Sequence, residues 1–327
     1  MIMEDLKGKI ALIGAGYWGK NILRNLYELG FIHSVYDASP KRRLELSEKY
    51  PDIRFVDDME QILGNSEVVG VCIATPAVTH YEVAKKALLA GKHVFVEKPL
   101  SIRVEEAEEL IKISDEQKKI LMVGHILNYH PAIKKMKEMI SGGEIGRIFY
   151  IYSNRLNIGK LRTEENIIWS FAPHDVSVIL NLIGEEPERV SATGGYYITP
   201  DVFDVTLMDF TFKNNIRGHI FVSWLHPFKE QKLVVVGSEA MLLFDDLTEE
   251  KLFLYPHKIK WIEGKIPVAE KAEREAIPIE KKEPLKEEML QFAESILTGG
   301  PPYTDGREGL RVLRILNEAE KSVRAHQ

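Results

Sequence analysis

A glycine-rich turn near the start of the chain restricts the fold more than any other feature. The short apolar strand Lys9–Ile13 leads directly into Gly14-Ala15-Gly16-Tyr17-Trp18-Gly19, and the acidic residue Asp37 follows a second strand about 20 residues later. A helical segment, Lys20–Leu29, lies between the two strands and stops at Gly30. Strand, glycine turn, helix, strand and acid in this order predict a dinucleotide-binding βαβ unit.

Each glycine of the turn has its own physical purpose. Gly14 permits a tight turn out of the strand, and Gly16 has no Cβ, so the backbone can approach a pyrophosphate. Gly19 lets the following helix pack close to the sheet, and the positive end of that helix points at the phosphates. We therefore expect these glycines, with Tyr17 and Trp18 between them, to contact the cofactor.

The carboxylate of Asp37 indicates which dinucleotide is bound. An acid at the end of the second strand accepts hydrogen bonds from the adenosine ribose and repels a 2′-phosphate, which favours NAD over NADP. Lys41, Arg42 and Arg43 leave the other choice open, because their charges can pair with such a phosphate. The same basic residues also suit the solvated first turn of a helix that begins at Pro40. We expect NAD as the cofactor.

Composition and length point to a globular protein with two domains. The 327 residues exceed one small core, and shares of 45% hydrophobic and 28% charged residues are ordinary for such proteins. A net charge of −6 provides no general attraction to nucleic acid or anionic lipid. No apolar run reaches the roughly 18 residues of a membrane span, and Met1–Lys9 lacks the apolar core of a secretory signal. The single cysteine, Cys72, lies in an apolar strand, so we expect an inert buried thiol and a cytoplasmic protein.

Strands and helices alternate in the first part of the chain. Later strands are predicted at Val68–Ile73, His93–Val96 and Ile120–Val123, with helices between them at Thr79–Leu89 and Val104–Gln117. Nearly continuous apolar strands between amphipathic helices predict a doubly wound parallel sheet that is covered on both faces. We therefore predict an α/β Rossmann domain, which binds NAD, over residues 1–124.

Residues 125–327 have a different pattern, which predicts an α+β domain that binds substrate and forms the subunit interface. Helices are predicted at Ala132–Ile140 and Pro173–Leu182. The strands are predicted at Ile148–Ser153, Val190–Tyr197, Val205–Phe212, Ile216–Trp224, Lys232–Gly237 and Met241–Phe244. Consecutive strands with short turns, such as Asn214-Asn215, favour a large and mainly antiparallel sheet. An apolar free face of such a sheet would be buried against another subunit.

The end of the chain combines a polar connection with two helices. Residues 263–286 are rich in Lys, Glu and Pro without a clean period, so we predict a solvated, partly extended connection. Helices are predicted at Leu285–Leu297 and Arg307–Arg324, separated by a Gly-Gly-Pro-Pro sequence. These last helices can pack back on the first domain.

Three short motifs are candidates for the chemistry. Ala74-Thr75-Pro76, with His80 on the next helix, and Glu97-Lys98-Pro99 both follow parallel strands, at the edge where open α/β sheets bind ligands. Thr75-Pro76 also suits a helix start, and Lys98 also suits a surface turn. The third motif, Trp169 to Asp175, contains His174, which also suits a helix-capping role. No HExxH sequence and no paired Cys/His spacing is present, so no metal is predicted.

Taken together, the motifs Gly14-x-Gly16-x-x-Gly19, Ala74-Thr75-Pro76 with His80, Glu97-Lys98-Pro99 and Ala172-Pro173-His174-Asp175 resemble those of the Gfo/Idh/MocA family of NAD(P)-dependent sugar oxidoreductases. The resemblance covers nearly the whole chain, including Pro284–Glu288 and Thr304-Asp305-Gly306. The segment from Arg155 to Trp169 resembles the branch that oxidises the 3-hydroxyl of UDP-N-acetylglucosamine or its uronic acid.

The resemblance implies a fold, an assembly and a mechanism. The fold is a Rossmann domain followed by a domain with a broad, mainly antiparallel sheet, through which the subunits form homo-dimers or homo-tetramers. The nicotinamide lies near Thr75, His80, Glu97 and Lys98, and the Lys98-Pro99 bond is cis. His174 then takes the proton of the reacting hydroxyl while Lys98 stabilises the developing charge on its oxygen.

One position departs from the family pattern. Many members carry an aspartate four residues before the catalytic histidine, where this chain has Ser170. A serine supports a proton relay more weakly than a carboxylate, so the resemblance leaves the third member of the catalytic group open.

The resemblance also suggests which residues contact the substrate: Tyr129, Arg155, Asn157, Arg162 and Trp169. The two arginines can pair with a diphosphate or with a uronic carboxylate, although arginines at strand ends are also common on surfaces and in interfaces. Two alternatives stay open. A free-polyol dehydrogenase of the inositol type would not need these arginines, and a silent nucleotide-binding sensor would not need Lys98 and His174.

Overall fold

The protein is described by a computed structural model for residues 2–159, 161–163 and 165–325. The described residues divide into two compact units. The first contains the residues up to 129 together with 283–313, and the second contains 130–282 together with the residues from 314 onward. The first unit thus contains a late segment of the chain in addition to its N-terminal part. No helix within the described residues combines the length and the apolar character that crossing a membrane requires.

The helices, in chain order, are α1 (Gly19–Glu28), α2 (Pro40–Lys49), α3 (Glu60–Leu63), α4 (His80–Leu89), α5 (Val104–Gln117), α6 (Pro131–Ser141), α7 (Ile167–Ile183), α8 (Pro284–Thr298) and α9 (Gly306–Ala325). The strands are β1 (Ile10–Ile13), β2 (Ile32–Tyr36), β3 (Arg54–Val56), β4 (Gly70–Ile73), β5 (His93–Glu97), β6 (Leu121–Gly124), β7 (Ile148–Ile158), β8 (Arg189–Gly195), β9 (Val205–Thr211), β10 (Arg217–Ser223), β11 (Leu225–Gly237), β12 (Met241–Asp245), β13 (Leu252–Tyr255), β14 (Lys258–Ile262), β15 (Ile266–Glu270) and β16 (Glu275–Ala276).

The described residues of the first unit form a six-stranded parallel sheet in the order β3-β2-β1-β4-β5-β6. Every residue of β1, β4 and β6 is buried, which explains why these strands lack an alternating pattern. The strand order reverses at β1, because β2 and β4 lie on its two sides. The loops after β1 and β4 therefore begin at the carboxyl edge of the sheet, where such folds bind ligands.

The second unit contains an eight-stranded sheet in the order β16-β13-β12-β11-β7-β10-β9-β8. Its neighbouring strands are antiparallel except for β7 and β10, which run parallel. Helix α7 packs on β7, β9 and β10, and α6 packs on α7 and β12. A parallel Rossmann sheet followed by a mainly antiparallel sheet confirms the predicted fold class.

One local prediction needs correction, and another gains detail. Helix α7 begins at Ile167 rather than at Pro173, because the Asn166 side chain accepts hydrogen bonds from the amides of Ile168 and Trp169 and so caps the helix. The region from residue 263 is solvated and partly extended, as predicted, and its extended parts are paired strands, since β15 pairs with β14 and β16 pairs with β13. Every residue of β14, β15 and β16 is exposed, so these strands have no buried face and no alternating pattern to reveal them.

Candidate active site

The glycine turn after β1 has the geometry that a dinucleotide requires. Gly14 has a φ of 92°, and a Cβ on it would lie 2.7 Å from the Ala74 carbonyl oxygen. A Cβ on Gly19 would overlap the Gly14 carbonyl group, so only glycine allows α1 to begin this close to the strand. A Cβ on Gly16 would have no atom of another described residue within 4 Å, its two chain neighbours aside. An open approach beside the N-terminus of α1 fits a pyrophosphate.

The two aromatic residues of the turn have different surroundings. The side chain of Tyr17 is 96% exposed and is available to a ligand. Trp18 is partly exposed, and its indole N–H donates a hydrogen bond to the carboxylate of Glu97 at the end of β5. The glycine turn and the Glu97-Lys98-Pro99 motif are therefore joined directly at the carboxyl edge of the sheet.

We expect alanine to act differently at Gly19 and at Gly16. In Gly19→Ala the new Cβ meets backbone, so the variant should lose about 3 kcal/mol of stability. Gly16→Ala should stay within about 1 kcal/mol of the wild type, because its Cβ meets no protein atom, yet bind NAD at least tenfold more weakly. Chemical denaturation and NAD titration of both variants provide the measurement. Equal losses of stability in the two would contradict this account of the turn.

Asp37 lies just past β2 and is buried. Its carboxylate accepts hydrogen bonds from the amides of Ala15 (2.8 Å) and Ser39 (2.9 Å), and Arg42 Nη1 lies 3.0 Å from both oxygens. Burial alone would raise the pKa of Asp37, but the Ser39 and Ala15 amides and the Arg42 guanidinium together hold that pKa below its usual range. The acid that we expect to read the ribose is thus ionised and already faces a cation.

His80 connects the two loops that follow β4 and β5. Its ring is buried, with Nδ1 2.7 Å from the Pro99 carbonyl oxygen and Nε2 2.9 Å from the Thr75 carbonyl oxygen. Burial lowers the pKa of His80, although the two carbonyl contacts oppose that shift. The ring is therefore occupied by the backbone of both loops, and His80 holds Thr75 and Pro99 in place relative to each other.

Lys98 directly follows β5, at the same carboxyl edge as the glycine turn. The Lys98-Pro99 peptide bond is cis, as the family resemblance implies. Glu97 is only partly buried, but many protein atoms surround its carboxyl group. This desolvation raises the pKa of Glu97 to about 7. Trp18, Lys98 and His125 act in the opposite direction on this pKa.

In the second unit, His174 lies within α7 and is partly buried. Its neighbour Asp175 points into the sheet, where it accepts hydrogen bonds from Ser153 Oγ (2.6 Å) and from Arg155 Nε (2.7 Å) and Nη2 (3.1 Å). Arg155, predicted as a substrate contact, is thus held by a buried ion pair to the residue next to His174. Ser170, one turn before His174, is buried.

Three of the four other predicted substrate residues also have protein partners. Tyr129 has no exposed surface and its hydroxyl lies 2.9 Å from Thr304 Oγ1 in the first unit, so the side chain presents nothing to a substrate. Arg162 forms an ion pair with Glu165, and the Trp169 indole N–H donates to Glu320 Oε2 at 2.7 Å. The side-chain oxygen of Asn157 is buried without a hydrogen-bond partner among the described residues, so it remains a group that a ligand can satisfy.

Each unit thus assembles part of the predicted site. The first unit brings the glycine turn, Thr75, His80, Glu97 and Lys98 to one edge of its sheet. The second unit places His174 and Trp169 on α7 and Arg155 on the strand against it. The sequence reasoning missed three partnerships of these residues: Asp175 with Arg155, Glu320 with Trp169, and Arg42 with Asp37.

Reactive groups outside these motifs are few. No set of three or more His, Cys, Asp or Glu side chains within the described ranges is arranged to hold a metal ion. Cys72 is fully buried in β4, and burial, with Glu288 and Glu97 nearby, raises the pKa of its thiol. These properties fit the expected inert thiol.

A dinucleotide turn at the switch point of a parallel sheet, followed by a mainly antiparallel second unit, defines a nicotinamide-dependent oxidoreductase. Residues 8–125 match the family model described as "Oxidoreductase family, NAD-binding Rossmann fold", and residues 133–243 match "GFO/IDH/MocA C-terminal domain". The chain belongs to the Gfo/Idh/MocA family, and its first unit is an NAD-binding Rossmann domain.

Known proteins of this family resemble the chain over nearly its whole length. A UDP-N-acetylglucosamine 3-dehydrogenase from Acidithiobacillus ferrooxidans is 27% identical over 97% of both chains, and its solved structure matches with a TM-score of 0.85 over 97% of both. A myo-inositol 2-dehydrogenase from Thermotoga maritima is 23% identical over 96% of both chains. A levoglucosan dehydrogenase, solved with NADH and levoglucosan, shares the fold with a TM-score of 0.82 over 98% of both chains at 20% identity.

Proposed function

We propose that this protein is an NAD-dependent dehydrogenase that oxidises a secondary hydroxyl, the 3-hydroxyl, of UDP-N-acetylglucosamine or a closely related UDP-sugar. The single observation that carries the proposal is the similarity over 97% of both chains to the UDP-N-acetylglucosamine 3-dehydrogenase. The fit of the glycine turn and of Asp37 to a dinucleotide supports it.

In this proposal Lys98 and His174 handle the proton of the substrate hydroxyl. The glycine turn and Asp37 would hold NAD, which would supply the acceptor for the hydride from the carbon that carries this hydroxyl. The imidazole of His174 takes the proton, and the ammonium group of Lys98 donates a hydrogen bond to the same oxygen as negative charge develops there. Ser170 provides no carboxylate at the position where many family members have one, so the burden of proton transfer falls on His174.

The ion pairs that Arg155 and Arg162 form within the protein favour a second candidate, a dehydrogenase of free polyols such as inositol. Arg155 is committed to Asp175 and Arg162 pairs with Glu165, so neither presents an unpaired cation to a diphosphate. A polyol has no diphosphate and requires none. The similarity to the myo-inositol 2-dehydrogenase is consistent with this choice, although it is lower in identity.

A single substrate panel distinguishes the candidates. The purified protein is loaded with NAD, and the absorbance of reduced nicotinamide is followed on adding UDP-N-acetylglucosamine, its uronic acid, glucose or myo-inositol. A rise with a UDP-sugar alone supports the proposal, and a rise with myo-inositol alone supports the polyol candidate. A stoichiometric rise counts as well, because the cofactor can stay bound after one turnover. No rise with any compound would contradict both.

We also propose that the second unit forms a homo-dimer or homo-tetramer through its eight-stranded sheet. Ser153 of β7 points to α7, so Tyr150 and Tyr152 lie on the opposite face of the sheet. There Tyr152 stacks on Tyr150 and on His219 of β10, with ring centroids 6.0 and 5.0 Å apart. An aromatic row at the centre of a sheet face suits burial against a second copy. Sedimentation of the wild type tests this, and a monomeric mass would refute it.

A further inference from the structure

The buried carboxyl group of Glu288 has no role in the mechanism above. Glu288 lies in α8 of the first unit, is fully buried, and has no hydrogen-bond partner for either carboxyl oxygen among the described residues. Its helix neighbours Leu285, Met289 and Phe292 are part of the apolar core. An ionised carboxylate without partners is strongly unfavourable in such surroundings, so Glu288 must be a neutral carboxylic acid.

A second carboxyl group, that of Glu97, lies within electrostatic reach of Glu288. Burial is the main cause that raises the pKa of Glu288 well above its usual range, and the charge of Glu97 raises it further. Unlike Glu288, Glu97 keeps part of its surface open, accepts a hydrogen bond from Trp18 and lies against the backbone of Gly124. One carboxyl group is thus sealed in the core, and the other reaches the edge of the sheet that we assign to the nicotinamide.

The titratable and charged groups around this pair belong to several elements. Lys98 and His125, next to the ends of β5 and β6, lower the pKa of Glu97. Cys72 in β4 and Tyr129 before α6 lie near the Glu288 carboxyl group, and burial, the main cause, raises the pKa of both so that they stay protonated at neutral pH. Because burial also keeps Glu288 neutral, Glu97 is the carboxyl group of this pair that can gain or lose a proton near pH 7. His125 faces a further carboxyl group, with its Nδ1 2.7 Å from Glu308 Oε2.

We infer that Glu97 matches its charge to the redox state of the cofactor, fully ionised beside the cationic oxidised nicotinamide and as readily protonated beside the neutral reduced ring as in the ligand-free protein, while Glu288 retains its proton throughout. The inference rests on the proposed function, since it requires the nicotinamide at this edge. A cation next to a carboxyl group stabilises its ionised form, so oxidised NAD should release the Glu97 proton to solvent on binding. Reduced NAD carries no ring charge and should release none.

Proton release on cofactor binding tests this without turnover. Calorimetric titrations of oxidised and reduced NAD in two buffers of different protonation enthalpy give the number of protons released. At pH 7 the wild type is expected to release about half a proton with oxidised NAD and none with reduced NAD. Its affinity for oxidised NAD should rise about tenfold between pH 6 and pH 8, whereas that for reduced NAD should stay constant.

Two glutamine variants of equal size provide matched controls. Glu97→Gln should abolish proton release and bind oxidised NAD at every pH more weakly than the wild type does at pH 6, because glutamine is never ionised. Glu288→Gln should leave the release unchanged, because one neutral group replaces another. Tight binding of oxidised NAD by the wild type without proton release would overturn the inference and leave the dehydrogenase proposal intact. Absence of any NAD binding would overturn both.

If Glu288 is neutral, the stability of the ligand-free protein should depend on pH in a characteristic way. Its folded pKa lies above the unfolded value of 4.5, so unfolding releases a proton above that pH and stability falls as the pH rises from there. This term should raise the unfolding equilibrium constant by up to about tenfold per pH unit in the wild type. Glu288→Gln should lose that slope, whereas Glu294→Gln, an exposed control on the same helix, should keep it. Identical slopes in all three proteins would show that Glu288 is ionised.

Discussion

Replacement of His174 by asparagine is expected to lower turnover by about 10²–10⁴-fold while NAD binds as it does to the wild type. Asparagine keeps a polar side chain of similar reach in α7 but cannot accept a proton at neutral pH. The hydroxyl proton would then have to leave through water, because Ser170 provides no carboxylate one turn earlier. NAD binding should be unaffected, since the glycine turn and Asp37 belong to the first unit.

The measurement is the single-turnover rate of nicotinamide reduction with the substrate that the panel identifies, together with NAD affinity. His226→Asn serves as the control, because this surface histidine makes its ring contact to the Phe228 carbonyl of its own strand. Loss confined to His174→Asn, with NAD affinity retained, is the expected result. Equal turnover in His174→Asn and in the wild type would remove His174 from the mechanism.

The same sequence features that predict the cofactor also made the first unit predictable. Strands β1, β4 and β6 are buried on both faces, so they appear in the sequence as short continuous apolar runs. The turn from Gly14 to Gly19 needs glycine where a Cβ would overlap backbone atoms. The spacing of these glycines therefore reveals the turn in the sequence. The fold class and the cofactor followed from these local signals.

Partners of charged side chains were much harder to predict, because they depend on tertiary packing. Arg155 was a natural ligand for a diphosphate by chemistry and by resemblance, yet it lies beside Asp175, across the interface between β7 and α7. Tyr129 follows shortly after β6, but its hydroxyl points to Thr304, far along the chain. No local pattern distinguishes an arginine that faces a ligand from one that faces a buried acid.

The N-terminus of α7 shows how one local signal can hide another. Proline at a first helical position is favourable, so Pro173 suggested a helix start there. The actual start is set by Asn166, whose side chain caps the helix, and Pro173 lies inside it. This earlier start extends α7 by enough turns to place Trp169, Ser170 and His174 on one continuous helix rather than on a loop before it.

Substitution of Asp37 by serine should reverse the cofactor preference by about 10³-fold in the ratio of the two dissociation constants. Loss of the carboxylate removes two charge-assisted hydrogen bonds to the ribose, each worth about 1.5–3 kcal/mol, which weakens NAD binding. It also frees Arg42, whose Nη1 contacts both carboxylate oxygens, and leaves Arg43 beside it on α2. Two guanidinium groups then face the position that a 2′-phosphate would occupy.

The double variant Asp37→Ser/Arg42→Ala separates the two causes. If the released guanidinium is responsible, the gain in NADP affinity should appear in the single variant and disappear in the double variant, while the loss of NAD affinity remains in both. Fluorescence titration of each protein with both dinucleotides measures all the constants required. Persistence of the NADP gain without Arg42 would mean that removing the negative charge alone sets the preference. Asp37 would then discriminate by repulsion of the phosphate rather than by restraining an arginine.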